Sequence, residues 1–374
     1  MSPASRYGVA DRLLLRAALG GGGVSRALQR ALTGVEDALL EQEAALPPPK
    51  PVFVTALPRA GTTILLSLLA RAPSFASHTY RDMPFVLSPY LWGRVSGRFR
   101  RTGGDAARAH GDGLRIDFDS PEAFDELLWM LFWPEKYQPK AILRWTAADR
   151  SPEFDAFFAR HMHKVIAARA REPGRRPPSR YLSKNNANIA RLSLLPKMFP
   201  DCRIVIPVRD PWSHATSLLR QHRRFRELHG KDGFARRYMA WLGHFEFGAG
   251  LRPIRFEATG GELRRFREAD RLDFWLRYWR AAHDEIAAAT DRCILLIDYA
   301  RLTTEPQRSL AKLAATLGVA EEADIVEWTR AVRAPAHDTP APALAERPAY
   351  RRAVELYESL RRRCLNRADA ARSA

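Results

Sequence analysis

The sequence predicts an α/β fold, a parallel β-sheet flanked by helices with helical N- and C-terminal extensions, on three observations. The first is the stretch Val52 to Ala70, where an apolar β-branched run stops at Leu57-Pro58, a short turn carries Arg59 and Gly61, and leucines then recur at helical spacing. The second is a pair of continuous apolar runs, Cys202 to Val208 and Cys293 to Tyr299, of the kind found in strands covered on both faces. The third is alternation. Each run gives way to a helical pattern rather than to a second strand, which is the order of βαβ units.

The elements follow in order. Residues 5 to 46 alternate apolar and charged positions at helical spacing and are interrupted by Gly20 to Gly23, predicting two amphipathic helices before Pro47-Pro48-Pro49. After the strand, turn and helix of Val52 to Ala70 comes Phe75 to Phe85, too polar for core and too aromatic for an idle loop, and expected beside the turn. Arg94 to Gly113 and Arg169 to Ser179 read as surface loops from their Arg, Gly and Pro content. Between them, Phe124 to Trp133 reads as a buried helix and Ala141 to Trp145 as a short strand. Arg180 to Ser183 is a strand ending in Lys184-Asn185-Asn186, followed by a helix from Ile189 to Phe199. The Cys202 strand stops at Arg209-Asp210-Pro211 and a helix runs from Trp212 to about Leu228.

The tract 220 to 270 lacks clear periodicity and is expected to form an irregular insert over the acceptor side. Helices follow at Phe274 to Thr290, Ser309 to Leu317 and, after a Pro-rich connector, Ala349 to Ala368. Three segments are therefore expected: a helical extension over 1–49, an α/β domain over 50–335 with inserts at about 94–175 and 220–270, and a connector with a basic helix over 336–374.

Length and composition fit a globular protein with a full core: 374 residues, 46% hydrophobic, nine Trp and 18 Phe. The net charge of +18 predicts anionic partners, but the arginines are spread along the chain with no recognisable nucleic-acid module, so no nucleic acid is expected. Cys202, Cys293 and Cys364 are far apart, without zinc spacing or a disulfide framework, which points to a reducing compartment, the cytoplasm. No apolar run is long enough to span a bilayer.

A strand, a Gly turn and two threonines opening a helix aim backbone N–H groups and a helix dipole at one point, where Arg59 adds a guanidinium. Such a point binds phosphate, and the fold expected around it is of the P-loop type. In the triphosphate-binding form, G-x-x-x-x-G-K-[ST], a lysine follows the second glycine; here Ala56 stands at the first glycine and Thr62 at the lysine. The cation instead precedes the glycine, in Pro58-Arg59-Ala60-Gly61-Thr62-Thr63.

That arrangement resembles the 5′-phosphosulfate loop of the sulfotransferases that use 3′-phosphoadenosine 5′-phosphosulfate (PAPS), P-[KR]-[SA]-G-[ST]-[ST]. The family's 3′-phosphate signature, an Arg at a strand end and a Ser eight residues on, is matched by Arg209 and Ser217. Ser183-Lys184-Asn185-Asn186-Ala187 and Phe199 to Ile206 are similar to the bacterial and tyrosylprotein-type branch, with Asn186 at the position of a proline in the commoner K-x-P form. Asp298 to Leu302 and Glu305-Pro306 resemble the segment that closes the family's nucleotide pocket. The resemblance spans about residues 50 to 318.

It implies PAPS as co-substrate, no required metal, and in-line transfer to a small-molecule, carbohydrate, lipid or peptide acceptor. Ala60, Gly61, Thr62 and Thr63 would hold the 5′-phosphate, and Arg209 and Ser217 the 3′-phosphate. Arg59, which also holds the nucleotide, and Lys184 would steady the leaving oxygen. A base is expected near the loop, and Asp82 and then His78 are the candidates there. His161 and His163 lack further ligands at helical spacing and read as surface residues, while Trp275 and Trp279 read as core. Two other readings stand beside this one. A kinase or nucleotide hydrolase would use Cys293 to Asp298 as a Walker B strand, and a non-catalytic protein would bind nucleotide, nucleic acid or another anion.

Overall fold

In chain order, α1 (Gly22–Glu41) leads into β1 (Val52–Val54), α2 (Thr62–Leu69), β2 (Phe75–Ala76) and α3 (Pro89–Ser96). An antiparallel pair, β3 (Ala106–Ala107) and β4 (Arg115–Ile116), precedes α4 (Glu126–Phe132), β5 (Tyr137–Gln138), β6 (Ala141–Leu143) and α5 (Pro152–Ala170). Next come β7 (Arg180–Lys184), α6 (Leu195–Met198), β8 (Arg203–Val208), α7 (Pro211–Lys231), α8 (Gly233–Trp241) and β9 (Ile254–Arg255). The chain continues through α9 (Leu272–Ala288), β10 (Ile294–Asp298), α10 (Tyr299–Thr304), α11 (Pro306–Leu317), α12 (Ile325–Ala331) and α13 (Pro348–Arg362). The structure, a computed structural model, describes residues 15, 16, 19, 22–41, 49–96, 106–107, 115–116, 119–122, 124–174, 176–257, 266–332 and 348–367. The expected first N-terminal helix, the Pro-rich connector and parts of both inserts fall largely outside these residues.

The central sheet has the order β10-β8-β1-β7-β2, every neighbouring pair parallel. Its period of two sorts side chains between two cores. Val52, Val54, Leu182, Val205 and Ile297 face α2, α11 and α12. Phe53, Tyr181, Ile204, Ile206 and Val208 face the side built by α4, α5, α7, α9 and α13. This order decides where a ligand sits. β1 runs down the middle, and its neighbours β7 and β8 end beside it, so the turn after β1, Lys184 at the end of β7 and Arg209 just past β8 share one rim. Open parallel sheets bind ligands at that carboxyl edge, where the crossovers diverge.

Several expectations change on the α4 and α5 side. α5 was not anticipated, although Ser151 caps it, Pro152 opens it and Glu153 and Asp155 fill its first turn. Its last turn contains Arg169, expected in a surface loop but only 2% exposed. His161 lies on the same helix and is buried, not at the surface as its polarity suggested. Phe75 to Phe85 is likewise inside: after β2, His78 and Thr79 are buried, and so are Asp82 and Met83 of the 3-10 turn Tyr80–Phe85 that follows. The span expected as one helix from Ile189 to Phe199 is a 3-10 turn over Asn186–Arg191 followed by α6. The tract 220 to 270 is not uniformly irregular, since α7 runs on to Lys231 and α8 follows after Asp232, which caps it. Trp275 and Trp279 are core, as expected.

β6 does not join the central sheet. It pairs with β5 and β9 in a small separate ladder that walls a cleft beside the carboxyl edge. α13 docks on the opposite border, with Arg361 Nε 2.9 Å from Asp298 Oδ2 and the Leu365 N–H donating to Leu296 at 2.8 Å.

Candidate active site

The turn after β1 is built from two residues in the left-handed region, Arg59 at φ 72° and Gly61 at φ 95°. For Arg59 that conformation is uncommon, and such backbone persists where the surroundings hold it. They do: Arg209 Nη1 donates to the Arg59 carbonyl at 2.7 Å, and His214 Nε2 meets the Pro58 carbonyl at 2.8 Å. Burial, and then the charge of Arg209, push the His214 imidazole well below the usual range, so it is neutral and carries its proton on Nε2. At Gly61 a Cβ would lie 2.7 Å from Cε2 of Tyr299, so the position excludes a side chain twice, by φ and by space. The turn then opens α2 at Thr62, whose first N–H groups have no acceptor within the helix.

The strand after β7 brings the second half. Arg59 Nε donates to Ser217 Oγ at 3.3 Å across 158 residues, and Arg209 Nε donates to Ser213 Oγ at 3.3 Å. Arg209 also lies over the Tyr299 ring at 5.1 Å, and Trp279 Nε1 donates to its carbonyl at 3.2 Å. Burial foremost, with Arg59 and Arg220 adding repulsion, pulls Arg209 below its ordinary range. Two guanidinium groups held this close repel each other, and an anion between them relieves that repulsion. Asp210 does not spend its carboxylate on Arg209: its Oδ1 accepts the Ser213 N–H at 2.8 Å and caps α7. Thr62 is buried and Thr63 half-buried at the start of α2, with Ala60 packed beneath. The structure thus brings Arg59, Ala60, Gly61, Thr62, Thr63, Arg209 and Ser217 to one place.

Lys184 reaches the same rim from β7, in register with Val54, and borders a cleft of about 630 Å³ that is open to solvent. Leu57, Pro58, Ile142, Phe245, Leu251, Ile254, Trp275 and Tyr278 supply its apolar walls; Lys184, Asn186, His244, Glu246 and Arg252 supply polar groups. The floor is a buried network. Arg191, stacked between Trp129 and Trp145 at 4.1 Å from each, holds Glu126 at 2.8 and 2.9 Å, and Asn185 donates to the same carboxylate at 2.7 Å. Gly243, at φ 77°, rests on that floor where a Cβ would lie 2.5 Å from Glu126 Cγ, and so sets the height of the segment carrying His244 and Glu246.

Neither Asp82 nor His78 lines this cleft. Asp82 is fully buried: Arg169 Nη2 lies 2.5 and 2.7 Å from its two oxygens, the Thr79 N–H donates at 2.9 Å, and His78 Nδ1 stands at 3.2 Å. Burial opposes its ionisation, but Arg169, His78 and Thr79 outweigh it and hold the carboxyl at about 2. His78 points its other nitrogen at His161, 2.9 Å away. Arg81, next to Asp82 in sequence, bonds Asp119 and lies 3.6 Å from Glu172. The pair expected near the turn thus joins the 3-10 turn to α5, separated from β1 by β7.

The cleft contains a different pair, His244 and Glu246, in the tract where no candidate was identified. Their Nδ1 and Oε2 are 3.7 Å apart, and both side chains are partly exposed, at 17% and 26%. The sequence carried one signal for them. In His244-Phe245-Glu246-Phe247 the phenylalanines are buried and the polar residues half-buried at the cleft, a period-2 alternation of burial inside a stretch without helical periodicity. Burial works to raise Glu246, but His244, Lys184 and the Asn186 amide bring it down to about 2. A carboxylate held that firmly ionised orients an imidazole better than it takes a proton. Asp298, at the Walker B-like position, is 2% exposed and committed to the Ala300 N–H and to Arg361, each at 2.9 Å.

Among solved structures, the chain is similar to the sulfotransferase STF9 of Mycobacterium avium, at 15% identity over 91% of this chain and 83% of that one, with a TM-score of 0.48. STF1 of Mycobacterium tuberculosis gives 16% identity over 94% and 86%, at 0.47, and a sulfotransferase of Alicyclobacillus acidocaldarius gives 14% over 87% and 99%, at 0.41. No functionally curated protein matches. A sulfotransferase family profile matches residues 51–248, more than half of the chain, and that span runs from the turn of Arg59 and Gly61 through Lys184, Arg209 and Ser217 to the His244 and Glu246 segment. With the match lying over the residues that build the site, the chain belongs to the sulfotransferase family.

Proposed function

We propose that this protein moves the sulfuryl group of PAPS to a hydroxyl, or an amine, of an acceptor bound in the cleft. The observation that supports it most strongly is the convergence of Arg209 and Ser217 on the Gly61 turn and Arg59: a guanidinium and a hydroxyl suited to a dianionic phosphate, next to N–H groups and a second guanidinium suited to a phosphosulfate. Adenosine 3′,5′-bisphosphate, the product of PAPS, carries phosphates at both positions. The missing Walker lysine and the committed Asp298 argue against ATP chemistry at this turn.

In this reading Lys184 and Arg59 face the bridging oxygen of the donor, and the acceptor hydroxyl approaches from the cleft in line with it. Glu246 faces His244 Nδ1 at 3.7 Å and orients the ring by its charge, which leaves Nε2 as the base. A new O–S bond forms as the bridging S–O bond breaks. The acceptor proton goes to His244 Nε2, and the electron pair of the broken bond stays on the phosphate, where the two cations stabilise it. Asp82 and His78 hold the α5 side together instead. Incubation with PAPS and a panel of phenols, sugars and lipid alcohols tests this: acceptor-dependent release of adenosine 3′,5′-bisphosphate that falls in His244→Gln is expected. Activity with ATP and magnesium but not with PAPS would contradict it.

A further inference from the structure

Asn186 occupies the place where the commoner motif has a proline, and its side chain is 9% exposed between two functional groups. Its Nδ2 donates to Glu246 Oε1 at 3.0 Å, and its Oδ1 accepts from Thr62 Oγ1 at 3.4 Å. The amide orientation follows from the partners: the ionised Glu246 needs a donor, which leaves Oδ1 for the hydroxyl. The Asn186 backbone is pinned as well, since Thr55 Oγ1 donates to its carbonyl at 3.4 Å and Asn185 caps the 3-10 turn through the Ala187 N–H at 2.9 Å. Glu246 Oε2 in turn faces His244. One chain of side chains, Thr62, Asn186, Glu246 and His244, therefore runs from the phosphate turn to the cleft. A proline could occupy the position but could make neither side-chain contact.

We infer that Asn186 is a positioning residue that fixes the Glu246–His244 pair relative to the donor loop, so that the base stands at a set distance from the sulfuryl group. The inference rests on the functional reading above. Asn186 acts through its neighbours, by occupying one carboxylate oxygen of Glu246 and leaving the other for His244. Its substitution should therefore change the imidazole and the turnover far more than the nucleotide site, where it touches only the Thr62 hydroxyl.

Two measurements on the full chain test it. In nucleotide-free protein, the His244 imidazole, followed by NMR relaxation, becomes more mobile in Asn186→Ala, because Glu246 loses the amide that holds it. An imidazole as ordered as in the wild type would overturn the proposal. With PAPS and water as the only acceptor, release of adenosine 3′,5′-bisphosphate falls about tenfold in Asn186→Ala, and Asn186→Ala adds less than about twofold when His244→Gln is already present. Affinity for the bisphosphate stays within about twofold throughout. Equal losses in both backgrounds, or weakened nucleotide binding that tracks the lost turnover, would also overturn it. A wild-type chain that binds no bisphosphate defeats the functional reading, and this inference with it. Asn186→Ser supplies the same comparison if the alanine variant does not fold.

Discussion

The phosphate turn and the cleft beside it are built in opposite ways. The donor side is made of two compact motifs: Pro58 to Thr63 is one turn, and Arg209 and Ser217 lie one helical stretch apart on the neighbouring βα unit. The cleft is assembled from the turn after β1, β6, the end of β7, the loop of His244 and Glu246, β9 and α9, scattered segments spread over more than half of the chain. A bound phosphate demands fixed backbone N–H groups and a few cations at short spacing, so its site is compressed into motifs. An acceptor pocket demands only shape and a few polar groups, which any loops brought together by the sheet can supply.

Substitutions sharpen this contrast, the largest effect first. Asp82→Asn takes one of two carboxylates from the buried Arg169, which keeps Glu172 at 2.8 Å, and should cost about 1.5–3 kcal/mol of stability. Turnover per folded molecule should survive, whereas a catalytic Asp82 would give a stable, inactive protein; denaturant melts and specific activity separate the two. The same group sets an acid limit. Its folded value, about 2, lies below the ordinary 3.8, so its contribution is full above the unfolded value and is lost as pH falls through the folded one. Wild-type stability should therefore drop between about pH 4 and pH 2, and Asp82→Asn should flatten that part of the curve. His244→Gln should lower sulfuryl transfer by about 100-fold while leaving nucleotide affinity unchanged, which calorimetry and kinetics together check. Ser217→Ala removes one hydroxyl from the donor side and should weaken adenosine 3′,5′-bisphosphate by about fivefold, near 1 kcal/mol.

What could be read from the chain follows the same division. Five features, the central β1, the turn, Lys184 at the end of β7, Arg209 past β8 and Tyr299 after β10, were legible because apolar strands ended in chemically specific residues. The His78 to Asp82 segment misled because polar residues near a phosphate turn in sequence suggest nearness in space. Its charges instead satisfy one another inside, where Arg169 of α5 supplies the cation. That helix escaped notice because its polar and apolar residues do not separate cleanly into faces, although its cap signals were present. His244 and Glu246 were hidden for a different reason. Their significance depends on Asn186 and Lys184, some 60 residues earlier, and no local pattern encodes that meeting.

The central claim is that the turn and Arg209 together read a nucleotide phosphorylated at both the 3′ and 5′ positions. Calorimetric titration of the wild type and of Arg209→Ala with adenosine 3′,5′-bisphosphate, set against ATP with magnesium, tests it directly. Tight binding of the bisphosphate, at least about 100-fold weaker in Arg209→Ala, with little heat from ATP, is the result expected from losing charge-assisted contacts to a dianion. Equal binding of the two nucleotides, or bisphosphate binding indifferent to Arg209, would contradict it.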